Sequence, residues 1–226
     1  MKFFLTGLAV TTAAACSFAL PAQAAPADPV KALKAQLVAG KGVKVSKSDS
    51  ITVDFTANDQ AMQVRVTTRT TGTVAFGKGK PAAADLRISM TSRPTRSHRP
   101  YRVVTQGRNA YVTNPGIVRA LPAGRSWIQS KAGSDGNSLL DVITPADLQF
   151  MLKNSSEVAT GEYEGTATLA AFRHDKSAGD GDVQFHLYFD KNNLLTRTVV
   201  DSTTLPDEDA ATAYDQMVFH TDTRYT

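Results

Sequence analysis

The 226-residue chain carries 25 Lys and Arg against 21 Asp and Glu, a surplus too mild to point to a nucleic-acid partner. Its one cysteine, Cys16, falls inside an N-terminal apolar run, so a chain cut beyond it has no disulfide, thiolate metal site or cysteine nucleophile. Residues 25–226 are enough for one domain with a sizeable core and hardly enough for two.

Residues 1–24 read as a signal peptide. Lys2 supplies the positive start, residues 3–20 the apolar stretch, and Ala22-Gln23-Ala24 the small-x-small pattern cut before Ala25. The stretch is short and rich in Ala and Thr, and no second one follows, so no transmembrane segment is expected. Ala13-Ala14-Ala15-Cys16 loosely resembles a lipoprotein box, which leaves lipid anchoring through Cys16 as the alternative. The box lacks its usual Leu, and the apolar run continues through Phe18 and Leu20 to a better cleavage site, which favours release. The mature chain is therefore expected to be secreted or held in the cell envelope, as a monomer.

Asp28 and Pro29 open a short helix: a capping carboxylate, a first-turn proline, then Val30, Leu33 and Leu37 on one stripe, with Gly40 and Gly42 as stops. From there to about Gly136 the apolar period is two. Ile51, Val53 and Phe55 alternate with polar residues, as do Met62, Val64 and Val66, and Leu86, Ile88 and Met90. Gly72, Gly77-Lys78-Gly79, Gly107-Arg108-Asn109 and residues 122–124 mark the turns. The basic stretch from Arg93 to Arg102 contains Pro94 and Pro100 and reads as an extended loop. Its Arg93, Arg96, Arg99 and Arg102 are either solvated or contact an anionic surface. Residues 138–143 look helical, and Thr144-Pro145-Ala146-Asp147 starts a second helix carrying Leu148, Met151 and Leu152. Strands are expected again from Val158, over residues 163–172, 183–189, 194–203 and 217–221, with a hairpin turn at residues 190–193. The predicted architecture is α+β: one large curved antiparallel sheet with two or three helices.

No catalytic constellation emerges. There is no Gly-x-Ser-x-Gly elbow and no Ser followed three positions later by Lys. His98, His174, His186 and His220 show no metal-ligand spacing, and neither a metal nor a cofactor is expected. His174-Asp175 sits beside a Gly-rich turn and reads as surface. His186 and His220 lie in strands between apolar neighbours and would share one face if those strands pair. Gly77-Lys78-Gly79-Lys80 lacks the spacing of a phosphate loop. Asn154-Ser155-Ser156 matches a glycosylation sequon, and Asp207-Glu208-Asp209 reads as a solvated turn.

Several stretches carry a family resemblance. Gly107-Arg108-Asn109-Ala110-Tyr111-Val112 precedes the single Trp in Ser126-Trp127-Ile128. Residues 144–152, with Leu139-Leu140 before them, look like a "DP-x-x-LL" helical segment, and residues 161–166 like a "G-x-x-x-xG-T" strand start. Residues 183–197 place Asp190, Leu195 and Arg197 as in a "v-x-v-w-x-D-x-x-g-L-x-R" hairpin. Together these resemble the LolA-like fold, and more closely the LppX and LprG type lipoproteins of actinobacteria. The missing lipobox departs from that pattern. The resemblance implies a half-barrel, spanning residues 25–226, whose helix-covered concave face encloses an apolar cavity for a lipid or other hydrophobic ligand. The expected lining is Val64, Val66, Ile88, Met90, Val103, Trp127, Phe185, Leu187 and Phe189; the alternative is a half-barrel filled by these same side chains. Function is thus expected to be sequestration of a hydrophobic ligand without chemistry. An envelope protein-interaction or stress-sensing module of the same fold is one alternative, and a secreted hydrolase with a dispersed site the other.

Overall fold

The protein is described from a computed structural model covering residues 28–57, 60–95, 98–107, 109–131, 143–174, 181–204 and 215–226. The leader with Cys16, the helical reading of residues 138–142, Arg96, Asp175 and the acidic run at 207–209 lie outside the described residues.

Eleven strands form one antiparallel sheet: β1 (Gly42–Ala57), β2 (Gln60–Phe76), β3 (Pro81–Arg93), β4 (His98–Gln106), β5 (Asn109–Thr113), β6 (Ile128–Lys131), β7 (Ser155–Ala159), β8 (Glu162–Thr168), β9 (Gly181–Phe189), β10 (Leu195–Thr204) and β11 (Gln216–Tyr225). Their order is β6-β5-β4-β3-β2-β1-β11-β10-β9-β8-β7, so the last strand returns beside the first and the sheet stays unclosed. This is the α+β architecture expected, with α1 (Pro29–Gln36), α2 (Pro115–Ala120), α3 (Pro145–Lys153) and α4 (Leu169–Arg173).

Strand alternation sorts the side chains into two faces. One row crosses seven strands on the inner face: Leu187, Thr198, Thr223, Lys47, Thr70, Ile88 and Tyr101. The ends of that row are apolar and its middle is polar. Each apolar end is a core cluster. Leu86, Ile88, Val103, Val74 and Phe76 pack under Leu37, at the end of α1. Phe185, Leu187 and Val183 pack under Leu148 and Met151 of α3 and Leu169 of α4. Leu33 touches both clusters.

The helices start where their caps dictate. The Asp28 carboxylate accepts from the Val30 N–H at 2.9 Å, and Thr144 and Asp147 form a reciprocal capping box at α3. The hairpin turn at residues 190–193 also holds: Asp190 Oδ1 accepts from the N–H groups of Asn192 and Leu194, and Asn193 has φ 57°.

Four expectations are corrected. Gly72 is no turn; it lies mid-strand in β2, opposite Leu86, where a Cβ would stand 2.0 Å from the Asp85 carbonyl oxygen. The basic stretch is not one loop: Arg93 ends β3, and His98 to Arg102 belong to β4, where Pro100 sits opposite Ser89. Residues 163–172 are not all strand, because the Thr168 hydroxyl caps the α4 helix by accepting from the Ala171 N–H at 3.3 Å. The strand after α3 begins at Ser155 rather than Val158, and the last strand runs on to Tyr225.

Candidate functional site

A cavity of about 610 Å³ lies between the inner face and the pair α3 and α4. Phe150 and Met151 come from α3, Leu169, Phe172 and Arg173 from α4, and Val183, Val200 and Phe219 from β9, β10 and β11. Pro81 of β3 lines the same cavity as Val183 of β9. In a flat sheet those strands, five steps apart in the order, would be separated by about 24 Å. The sheet must therefore curve around the cavity, with the concave side inward.

The helical wall is aromatic. Phe150 meets Phe172 edge-on at 6.5 Å between ring centroids, and Phe172 leans on the buried Phe185 at 6.1 Å. Phe150 also meets His174 at 5.6 Å, and His174 Nε2 stands 3.6 Å from Asp147 Oδ1. The other Asp147 oxygen is used by the Thr144 N–H and hydroxyl, at 3.0 and 2.6 Å. Arg173 lies 5.8 Å from the Phe219 ring centre, where the ring face attracts its cation.

The sheet side is mixed. Val183 and Val200 continue the apolar surface, whereas Thr198, Ser202, Thr221, Thr223 and Lys47 make it polar. Lys47 Nζ is 3.1 Å from Asp49 Oδ1, with the two side chains 14% and 26% exposed. That oxygen also accepts from the Thr221 hydroxyl at 2.8 Å, so the carboxylate is held from two sides.

The expected cavity residues fall elsewhere. Val64, Val66, Ile88, Met90, Val103, Phe185, Leu187 and Phe189 do share the inner face, by register and alternation. Yet none of them is among the residues lining this cavity. Ile88 and Val103 are buried in the α1-side cluster, Phe185 and Leu187 in the α3-side cluster, and Phe189 packs against the latter. Val64 and Val66 are half-buried and Met90 is exposed. Trp127 belongs to the outer face, where the Arg102 guanidinium lies 5.6 Å from its ring centre. The lining from Val183 was legible in principle, since it heads the same alternating run as Phe185. The lining from Leu169 and Phe172 was not, because that segment reads as strand.

The four arginines expected at an anionic surface also separate. Arg102 forms a forked ion pair with Asp85, at 2.7 and 2.5 Å. Its hydrogen bonds hold the Asp85 carboxyl below its ordinary value and raise the guanidinium. Arg93 is exposed, opposite Arg65 on β2. Arg96 lies outside the described residues, and Arg99 occupies a β4 position opposite Met90.

His186 and His220 do lie on one face, the outer one, but β10 separates their strands. Each is near a carboxylate instead: His220 Nδ1 to Asp201 at 2.6 Å, and His186 Nε2 to Glu164 at 3.7 Å. Among the described residues no three metal-ligating side chains cluster.

No family model matches the chain, and no curated protein is significantly similar to it. Among solved structures the chain is similar to LprF from Mycobacterium bovis, with 11% identity, 88% of both chains covered and a TM-score of 0.37. It is also similar to a LolA superfamily protein from Nitrosomonas europaea, with 9% identity, 90% and 92% covered and a TM-score of 0.24. A DUF1329 family protein from Desulfovibrio piger gives 16% identity, 88% and 92% covered and a TM-score of 0.22. Similarity at this level assigns the chain to no family.

Proposed function

We propose that this protein is an exported, non-enzymatic binder of a lipid or other hydrophobic ligand, held between the concave sheet face and helices α3 and α4. The observation that carries this reading is the cavity of about 610 Å³ walled by Phe150, Met151, Leu169, Phe172, Val183 and Val200. Its size lies within the ~300–1,000 Å³ of small-molecule sites. Each methylene transferred from water to such walls contributes about 0.8 kcal/mol, so a chain of modest length binds without any covalent step. The half-barrel is what the sequence resemblance to LolA-like carriers implies, and the leader at residues 1–24 would place it outside the cytoplasm.

The test is native mass spectrometry of the protein secreted by its own host. A discrete adduct that is lost on denaturation and extracts into organic solvent is the expected result. A bare polypeptide mass, together with no uptake of a fluorescent acyl probe after delipidation, would overturn the reading. Co-purification of one polypeptide at fixed stoichiometry in place of a lipid would favour the protein-interaction alternative.

A further inference from the structure

The outer face of β2 and β3 carries a charge pattern that pairing of the strands does not call for. Four register pairs follow one another there: Arg65 with Arg93, Thr67 with Thr91, Arg69 with Ser89 and Thr71 with Arg87. All point away from the cavity, because each lies an odd number of residues along its strand from the inward Thr70 or Ile88. The four arginines are exposed, and no large apolar side chain stands among them. Arg65 and Arg93 are directly opposite, with Cβ atoms about 5 Å apart, an arrangement of like charges that destabilises a strand pair. Among the described residues neither they nor Arg69 makes an ion pair. Two acids are near. Asp85, also on β3, is held through both oxygens by Arg102 of β4, while Arg87, two positions along, adds only to the field around it. Asp54 of β1 is diagonal to Arg65, and its Oδ1 accepts from Gln63 Nε2 at 2.8 Å. At the other end of the same face β8, β9 and β10 turn out Glu162, Glu164, Asp182 and Asp201, and Arg197 there is engaged by Asp222. The excess of positive charge is thus gathered on the β2–β3 stretch, even though the chain as a whole is only mildly basic.

We propose that this stretch is a docking strip for a linear phosphodiester polymer of the cell exterior, which lies along β2 and β3 and seats one phosphate between Arg65 and Arg93. The exterior location rests on the leader read at residues 1–24. Phosphate fits better than carboxylate. One guanidinium fork already uses both oxygens of a carboxylate, as Arg102 does at Asp85, whereas the tetrahedral oxygens of a phosphate serve two forks reaching in from neighbouring strands. From Arg87 to Arg93 the strip is about 20 Å long, and Arg69 stands about 8 Å from Arg87 across the strands, so a thread of several repeats meets all four cations. The threonines and the serine between them suit hydroxyl-rich links rather than apolar ones. A membrane matches less well, because the face is the convex one and offers no apolar anchor to sink among head groups. The strip lies on the side of the sheet opposite the cavity and does not depend on the ligand-binding reading.

The experiment measures binding of short poly(glycerol phosphate), polyglutamate, an oligothymidylate and phosphatidylglycerol vesicles by calorimetry over a range of salt concentrations. The proteins are the parent, the double variant Arg65→Gln/Arg93→Gln, and Lys34→Gln/Lys153→Gln, which removes the same charge from α1 and α3. Poly(glycerol phosphate) should bind the parent about tenfold tighter than polyglutamate, and the vesicles should not bind. The arginine variant should bind it about tenfold more weakly, with the slope of log affinity against log salt reduced by about 1 for each arginine removed. The lysine variant should keep the parent's affinity and slope. Arg65→Gln alone should melt at a higher temperature than the parent, because the like-charge pair is gone; an arginine placed there for stability would melt lower on removal. Equal affinity for polyglutamate, tighter binding of the oligothymidylate or the vesicles, or an unchanged slope in the arginine variant would overturn the proposal. Uptake of an acyl probe reads the cavity separately, so absence of polymer binding with that uptake intact overturns the strip alone.

Discussion

Val200→Phe separates a real cavity from a filled core by the sign of its effect. Val200 lines the cavity and packs against the cluster around Phe185 and Met151. Phenylalanine adds four carbons, and at ~0.8 kcal/mol per methylene-sized group their full burial would contribute about 3 kcal/mol. Because Val200 lies on the rim of its cluster, half-exposed to the lumen, about half of that, ~1.5 kcal/mol, is expected. In a close-packed interior the same change would instead cost ~1–3 kcal/mol through off-rotamer side chains and backbone shifts. The assay is a thermal melt of the delipidated variant, where each kcal/mol moves the midpoint of a domain this size by about 2–4 °C. The midpoint should rise by about 3–6 °C while acyl-probe affinity falls at least tenfold, since the ring takes the tail's place. A lowered midpoint with probe binding retained would refute the reasoning, showing that the lumen is not beside Val200.

Gly165→Ala should destabilise by at least ~2 kcal/mol, seen in urea unfolding, because its Cβ would stand 2.3 Å from the Asn154 carbonyl oxygen and 2.5 Å from Phe185 Cζ. Arg197 bonds Asp222 through two contacts of 2.9 Å, which hold the Asp222 carboxyl below its ordinary value. That pair adds stability above the unfolded carboxyl value of about 4 and loses it as pH falls through the lower folded value. Asp222→Asn should therefore flatten the acid limb of a stability-pH profile by less than ~1 kcal/mol, the arginine being partly solvated. Saturating the cavity should leave the fluorescence of Trp127 unchanged, since this single tryptophan lies against Arg102 on the outer face. Arg102→Gln should alter that fluorescence, and ligand-induced quenching of Trp127 would contradict its placement.

Local rules carried the elements whose signals lie within a few residues. Asp28-Pro29 and Thr144-Pro145-x-Asp147 name their helix starts because a cap needs only its own first turn. The alternation at residues 183–189 and the Asp190 turn likewise name a hairpin. Arg93 to Arg102 misled because prolines suggest a break in the chain, whereas Pro100 occupies a strand position that β3 pairs regardless. Residues 169–173 misled because Ala and Leu in one short turn carry no period, and only the Thr168 cap and the packing of Leu169 make it helical.

The sequence by itself determined the class of fold, through periodicity of two over most of the chain, and which strand residues turn inward, through alternation. It could not determine which inward residues meet empty space. Ile88, Val103, Phe185 and Leu187 are as apolar as any lining residue, yet α1 and α3 cover them. Thr198, Thr223 and Lys47 look like solvated strand positions until the register sets them side by side beneath α3 and α4. Cavity position depends on sheet curvature and on where short helices settle, and those are set by contacts between residues more than a hundred positions apart, such as Lys47 and Thr223. Alternation tells a side chain which way to face; only the tertiary structure decides what it faces.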